Sequence, residues 1–167
     1  MNLKYQVAAG IIGREYLESP LTLSLGYYVN SNSILSLRYT NFNGTDIDDK
    51  AAVKLRAVTL GYRHFTGNSF NFMTSLYYRR STIDYRNEGK FVLFGPTNLI
   101  YEDVGVGFRI GNEWQWENFT MGADWFGLNR TVAKINYKQQ SAGVLDELHF
   151  EKEWTLTLFS FYLGYSF

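Results

Sequence analysis

Four arginines and two or three carboxylates form the set in this chain best placed for chemistry. Arg38 lies between Leu37 and Tyr39, with Ser36 and Thr40 two positions away; Arg109 lies between Phe108 and Ile110, with Gly107 and Gly111 two positions away. Arg63, Arg79, Glu113, Asp124 and Asp103 fall in similar alternating surroundings. On a strand, positions two apart share a face, so these charges travel with the small and polar residues and against the large apolar ones. Enclosed charges of opposite sign must meet as hydrogen-bonded pairs, because a lone enclosed charge is costly. The chemistry on offer is therefore an internal ion-pair network: a polar filling, or the lining of a narrow ion path.

Other candidates are thinner. A nucleophilic serine needs a histidine and an orienting carboxylate. His149 has Asp146, Glu147 and Glu151 around it and Ser141 upstream, a mixture that polar loops reach without chemistry. His64, the second histidine, lies beside a tight turn far from His149, so no shared metal site is expected. Asp46, Asp48 and Asp49 lack the ligand spacing and closing glutamate of a calcium loop and read as a solvated acidic tip. No metal and no cofactor is expected, and no catalytic residue is assigned.

Eight strand-like segments must position the charges: Lys4–Gly13, Leu21–Val29, Ser33–Phe42, Ala52–Phe65, Ser69–Ile83, Tyr101–Trp116, Phe119–Lys134 and Trp154–Phe167. Each approaches or exceeds the roughly 9 to 11 residues of a tilted membrane-spanning strand. Tight turns (Asn30-Ser31-Asn32, Thr66-Gly67-Asn68, Glu117-Asn118) alternate with longer connections (Arg14–Pro20, Asn43–Lys50, Asp84–Ile100, Ile135–Glu153). The apolar parity, such as Leu21/Leu23/Leu25/Tyr27/Val29 or Val104/Val106/Phe108/Ile110, is expected to face lipid. The polar parity would face a lumen. Inward glycines (Gly26, Gly61, Gly105, Gly107, Gly111, Gly122, Gly164) would lie opposite Tyr28, Tyr77 and Tyr162, small against large in a narrow barrel. Two aromatic belts are expected. Tyr62, Phe70, Trp114, Trp116, Phe119 and Phe167 form the turn-side belt, and Tyr39, Tyr78, Tyr101 and Trp125 the other.

The alternation changes phase twice. Val53/Leu55/Ala57 and Val58/Leu60/Tyr62 have opposite parity, which predicts a bulge near Ala57–Val58; without one, Lys54 and Arg56 point outward. Near Leu156–Leu158, either the last strand bulges or the upper lumen is partly apolar.

Composition agrees. The 167 residues make one domain, 1–167, and 16 basic against 16 acidic side chains give a zero net charge that argues against nucleic acid. Aromatic residues make up 18% of the chain, cysteine is absent, and proline is confined to Pro20 and Pro96. No window approaches the ~18–20 apolar residues of a membrane-spanning helix. Met1-Asn2-Leu3-Lys4 runs straight into a strand-like segment, which reads as a mature form.

With these residues in view, the chain resembles the small eight-stranded outer-membrane barrels, the OmpA transmembrane-domain and OmpX/Ail-like group. The terminal Leu163-x-Tyr165-x-Phe167 is similar to the signal that the barrel-assembly machinery reads in that group. The resemblance implies an all-β, eight-stranded antiparallel up-and-down transmembrane barrel in a Gram-negative-type outer membrane, with both termini periplasmic. It implies lipid and lipopolysaccharide as surroundings, the latter met by Lys134, Lys138, Lys152, Arg80 and Arg86 at the rim. Group members include anchors, adhesins, narrow pores and lipid A-modifying enzymes, so fold alone does not choose among them. The expected role is non-enzymatic anchoring or surface interaction around a filled lumen. The alternatives are a narrow pore or small hydrophobic-molecule conduit, and a lipid A acyl hydrolase or acyltransferase. The histidine-x-serine arrangement associated with the deacylases is missing at both His64 and His149. An apolar run in the third loop, Phe91, Val92, Leu93 and Phe94, is a candidate patch for a surface partner.

Overall fold

Alternating residues build eight antiparallel strands in the computed structural model, which describes residues 3–10, 21–45, 51–67, 69–85, 98–140 and 154–166. They are β1 Leu3–Gly10, β2 Leu21–Asn30, β3 Ser33–Thr45, β4 Ala51–Phe65, β5 Phe70–Tyr85, β6 Asn98–Trp116, β7 Phe119–Gln140 and β8 Trp154–Ser166. Each pairs with its neighbour in sequence, and β1 pairs with β8 (Val7 opposite Leu163, Tyr5 opposite Tyr165), closing the sheet into a barrel without edges. Three tight turns lie at the end where β1 begins and β8 stops. In the first, Asn32 N donates to Asn30 Oδ1 at 2.9 Å. Gly67 (φ 93°) and Ser69 (φ 68°) bend the second, and Glu117 (φ 49°) opens the third.

Burial is inverted relative to a soluble sandwich. Inside lie Thr22, Ser24, Arg38, Arg63, Asn71, Ser75, Glu113, Thr120 and Asp124. Leu21, Leu23, Leu25, Leu37, Leu60, Leu76, Val106, Phe108 and Phe161 are exposed on the outer wall. In water that outer face would be a very large apolar patch; against acyl chains it is the solvated face.

The two phase breaks have different causes. At Ala57–Val58 there is no bulge: Thr40 pairs with Ala57 and Tyr39 with Val58, and on the other side Arg79 and Tyr78 follow in unbroken register. Lys54 and Arg56 point outward. Val53 and Leu55 point inward, where Val53 packs with Phe42 and Ile83, and Leu55, Leu99 and Tyr101 close around them. The end of the barrel away from the tight turns is thus a small apolar core with charges outside. Tyr101 belongs to that core and not to the outer aromatic belt.

In β8 the backbone turns locally at Phe159 and breaks the alternation. Asp124 pairs with Ser160 and Phe126 with Leu158 in unchanged register, with Trp125 and Phe159 unpaired between them; Phe159 has φ 51°. Leu156, Leu158 and Phe159 therefore all lie outside, and Thr157 turns inward. β7 also carries Val132 and Ile135 as unmatched residues against β6. These bulges, and pairing that continues to Gln140, make β7 longer than its sequence alternation indicated. Gly111 permits the bulge at Trp125, since a β-carbon there would strike the Ala123 carbonyl.

Candidate functional site: the charged layer of the lumen

The inward parity of β3, β4, β6, β7 and β8 delivers Arg38, Arg63, Arg109, Glu113, Asp124 and Tyr162 to one level of the lumen. Arg63 is its hub. Its Nη1 donates to Glu113 Oε2 at 2.8 Å and to the Tyr162 hydroxyl, and its Nη2 donates to Asp124 Oδ1 at 3.1 Å. The guanidinium carbon lies 4.7 Å from the Tyr162 ring centre, and the Tyr162 hydroxyl donates to Glu113 Oε2 at 2.9 Å. In an eight-stranded barrel β4 and β8 are opposite walls, so the Arg63–Tyr162 contact crosses the full bore. Gly122 makes room for it: a β-carbon there would collide with the Tyr162 ring.

Asp124 is shared. Its Oδ2 lies 3.5 Å from Arg109 Nη1 and accepts from Ser160 Oγ at 3.4 Å. Asp124 thus touches Arg109, as adjacent strands allow, while its shorter bond is to Arg63. Arg38 is 5% exposed at the same level and forms no ion pair among the described residues.

Arg79 stands apart, one layer further from the turns. Its Nε lies 3.2 and 3.1 Å from the two Asp103 oxygens, and its Nη2 donates to Asp103 Oδ2 at 2.7 Å. Arg79 Nη2 also reaches Thr131 Oγ1 at 3.4 Å, and the Tyr77 hydroxyl lies 3.3 Å from the same atom. The charges form two layers and not one network. Fork-shaped bonding of this kind fixes geometry as well as charge, and here it clamps the neighbouring strands β5 and β6.

Sequence reasoning undervalued two residues. Tyr162 was legible as a large inward side chain but not as the lid of Arg63. Met73, 1% exposed, lies on the inward parity between Asn71 and Ser75, and its Sδ is 4.0 Å from Arg63 Nη2.

A serine–histidine contact exists elsewhere. Ser33 Oγ is 3.0 Å from His64 Nδ1 and accepts from the Tyr62 hydroxyl at 2.9 Å. Ser33 is 0% exposed, and among the described residues no carboxylate bonds to His64, whose ring packs on Phe72. Without access or an orienting acid this is a latch beside the turns, not a nucleophile and base. Among the described residues no three histidine or carboxylate side chains gather as a metal site. Leu163 and Tyr165 point outward, and Arg80 is exposed with Glu102 3.6 Å away. The remaining candidates (Phe91, Val92, Leu93 and Phe94; Asp46, Asp48 and Asp49; Ser141, Asp146, Glu147, His149 and Glu151; Arg86, Lys152 and Phe167) lie outside the described residues, as does the Lys138 side chain.

Polar charges enclosed by a closed wall whose outer face is leucine and phenylalanine leave one architecture. The chain has the fold of a small outer-membrane β-barrel. A major outer membrane protein from Thermus thermophilus superposes with a TM-score of 0.63 at 14% identity, covering 99% of each chain. Neisserial surface protein A gives 0.57 at 12% identity, over 99% of this chain and 96% of that one. The N-terminal β-barrel domain of Pseudomonas aeruginosa OprF gives 0.50 at 15% identity, over 99% and 97%. No protein-family model matches the chain, and no curated protein matches its sequence. The outer-membrane barrel fold therefore rests on architecture, carried by alternation and closure rather than by a shared sequence signature.

Proposed function

We propose that this chain is a non-enzymatic integral protein of a bacterial outer membrane, with both termini on the periplasmic side. Its braced lumen makes it an anchor or a surface-interaction protein and not a conduit. The observation that carries this reading is Arg63, which ties β4 to Glu113, Asp124 and Tyr162 across the bore. An ion moving along the axis would have to break charge-assisted bonds in a low-dielectric enclosure. Contacts with other molecules then fall to the outside: lipid and lipopolysaccharide along the wall, the assembly machinery at Leu163, Tyr165 and Phe167, and a surface partner at the loops that include Phe91, Val92, Leu93 and Phe94.

Single-channel recording in planar bilayers tests it. The wild-type barrel should show no steady conductance, whereas a steady current that changes when Arg63 or Asp124 is replaced would establish the narrow-pore alternative. Lipid A from cells with and without the protein should give identical mass spectra; a lost or gained acyl chain would overturn the non-enzymatic reading.

A further inference from the structure

The turn-side charged layer does not balance among its described side chains. Arg38, Arg63 and Arg109 contribute three positive charges and Glu113 and Asp124 two negative ones, an excess of one. Arg63 takes the close bonds to both carboxylates, at 2.8 and 3.1 Å. Arg109 keeps a single contact to Asp124 at 3.5 Å, and its Nε is buried without a hydrogen-bond partner. Arg38 Nε is likewise buried and unpartnered. Arg38 lies within electrostatic reach of Arg109 and Arg63, so it faces more positive charge than Asp124 offsets.

Its neighbours on the wall are hydroxyls. Ser24 and Thr59 flank Arg38 on the adjacent strands, both buried and inward. Ser24 Oγ also has no hydrogen-bond partner. By contrast Thr22 and Thr40, the next rung, bond to each other at 3.1 Å. Unused donors, a buried guanidinium and surplus positive charge thus converge on one rung. Water would satisfy the donors but leave the charge uncompensated.

We propose that the lumen binds one small monovalent anion of halide size beside Arg38, held by the guanidinium and the Ser24 hydroxyl. One negative charge cancels the excess among the described side chains, while a phosphate dianion would overshoot it. Along β4, Thr59 lies between Arg63 on the turn side and Val53 in the apolar core, so the ion is held between the two as a resident and not a passenger. The inference uses the braced lumen described above but is independent of any role of the loops.

Thermal unfolding of the whole barrel in micelles tests it, comparing chloride with gluconate at the same ionic strength of about 0.3 M. The expected result is a Tm higher by about 3 °C in chloride. Arg38→Met should abolish that difference. Coincident wild-type curves, or a full chloride effect retained in Arg38→Met, would overturn the proposal. A measurement on the wild type alone covers the case in which the variant does not fold. Crystals grown with bromide should show an anomalous peak within about 3.5 Å of the Arg38 guanidinium, a normal contact for a charged donor; peaks confined to the surface would refute the site.

Discussion

The same strands obey opposite rules at their two ends. Along β4, Thr59, Gly61 and Arg63 face in while Val58, Leu60 and Tyr62 face out; a few residues away Val53 and Leu55 face in while Lys54 and Arg56 face out. The backbone runs through this change in unbroken register. What changes is the medium. Where acyl chains surround the wall, apolar residues belong outside and charges must be enclosed and paired. Beyond the bilayer, water surrounds the wall, and the inside becomes an ordinary apolar core of Phe42, Val53 and Ile83. Parity is thus a reading of surroundings as much as of strand geometry.

The comparison can be broken most forcefully at the enclosed charges. Arg63→Met should destabilise the barrel by about 3–5 kcal/mol in urea unfolding from lipid vesicles, because Glu113 and Asp124 are left enclosed without their main partner. A loss below 1 kcal/mol would mean that the layer is wet and not braced. Next comes a charge placed on either side of the boundary. Leu60→Arg should cost about 2–4 kcal/mol if Leu60 lies near the bilayer midplane. Arg56→Leu, on the same face of the same strand, should change stability by no more than about 0.5 kcal/mol. Equal costs at the two positions would erase the boundary. Ile83→Ala should then lose about 2 kcal/mol, the lower end for a buried isoleucine, since Ile83 is 0% exposed in the apolar core. A neutral result there would place lipid or water where the core is drawn. The smallest effect belongs to Arg80 and Glu102, 3.6 Å apart and partly exposed. Their double-mutant cycle should give under about 0.5 kcal/mol and vanish in high salt.

The eight strands, their order and the outward apolar face were legible because alternation repeats over many residues and each strand corroborates its neighbours. The inward placement of Arg38, Arg63, Arg79 and Arg109 follows from the same parity. Their partners were less legible. Asp103 with Arg79 depends on the register of β5 against β6, and Tyr162 with Arg63 on stagger across the bore; no single strand encodes either. The break at Ala57–Val58 was misread for a physical reason: an inserted residue and a change of solvent shift the pattern identically, and only pairing with β3 and β5 tells them apart. At Phe159 the register with β7 is also kept, and the break is a local backbone turn, φ 51°, that leaves Leu158 and Phe159 both outside. Tyr101 was misplaced with it, since an aromatic beyond the bilayer has no interface to occupy and turns inward instead.

The Arg63 brace has a consequence for how the molecule is made. Its aromatic lid comes from β8, the last of the eight strands to be synthesised and the one whose pairing with β1 seals the seam. Until that strand arrives, the arginine has no Tyr162 above it, and Glu113 lacks one of its donors. Sealing the cylinder and finishing its interior are accordingly a single event, and a chain stalled one strand short is left with an unfinished centre as well as an open side.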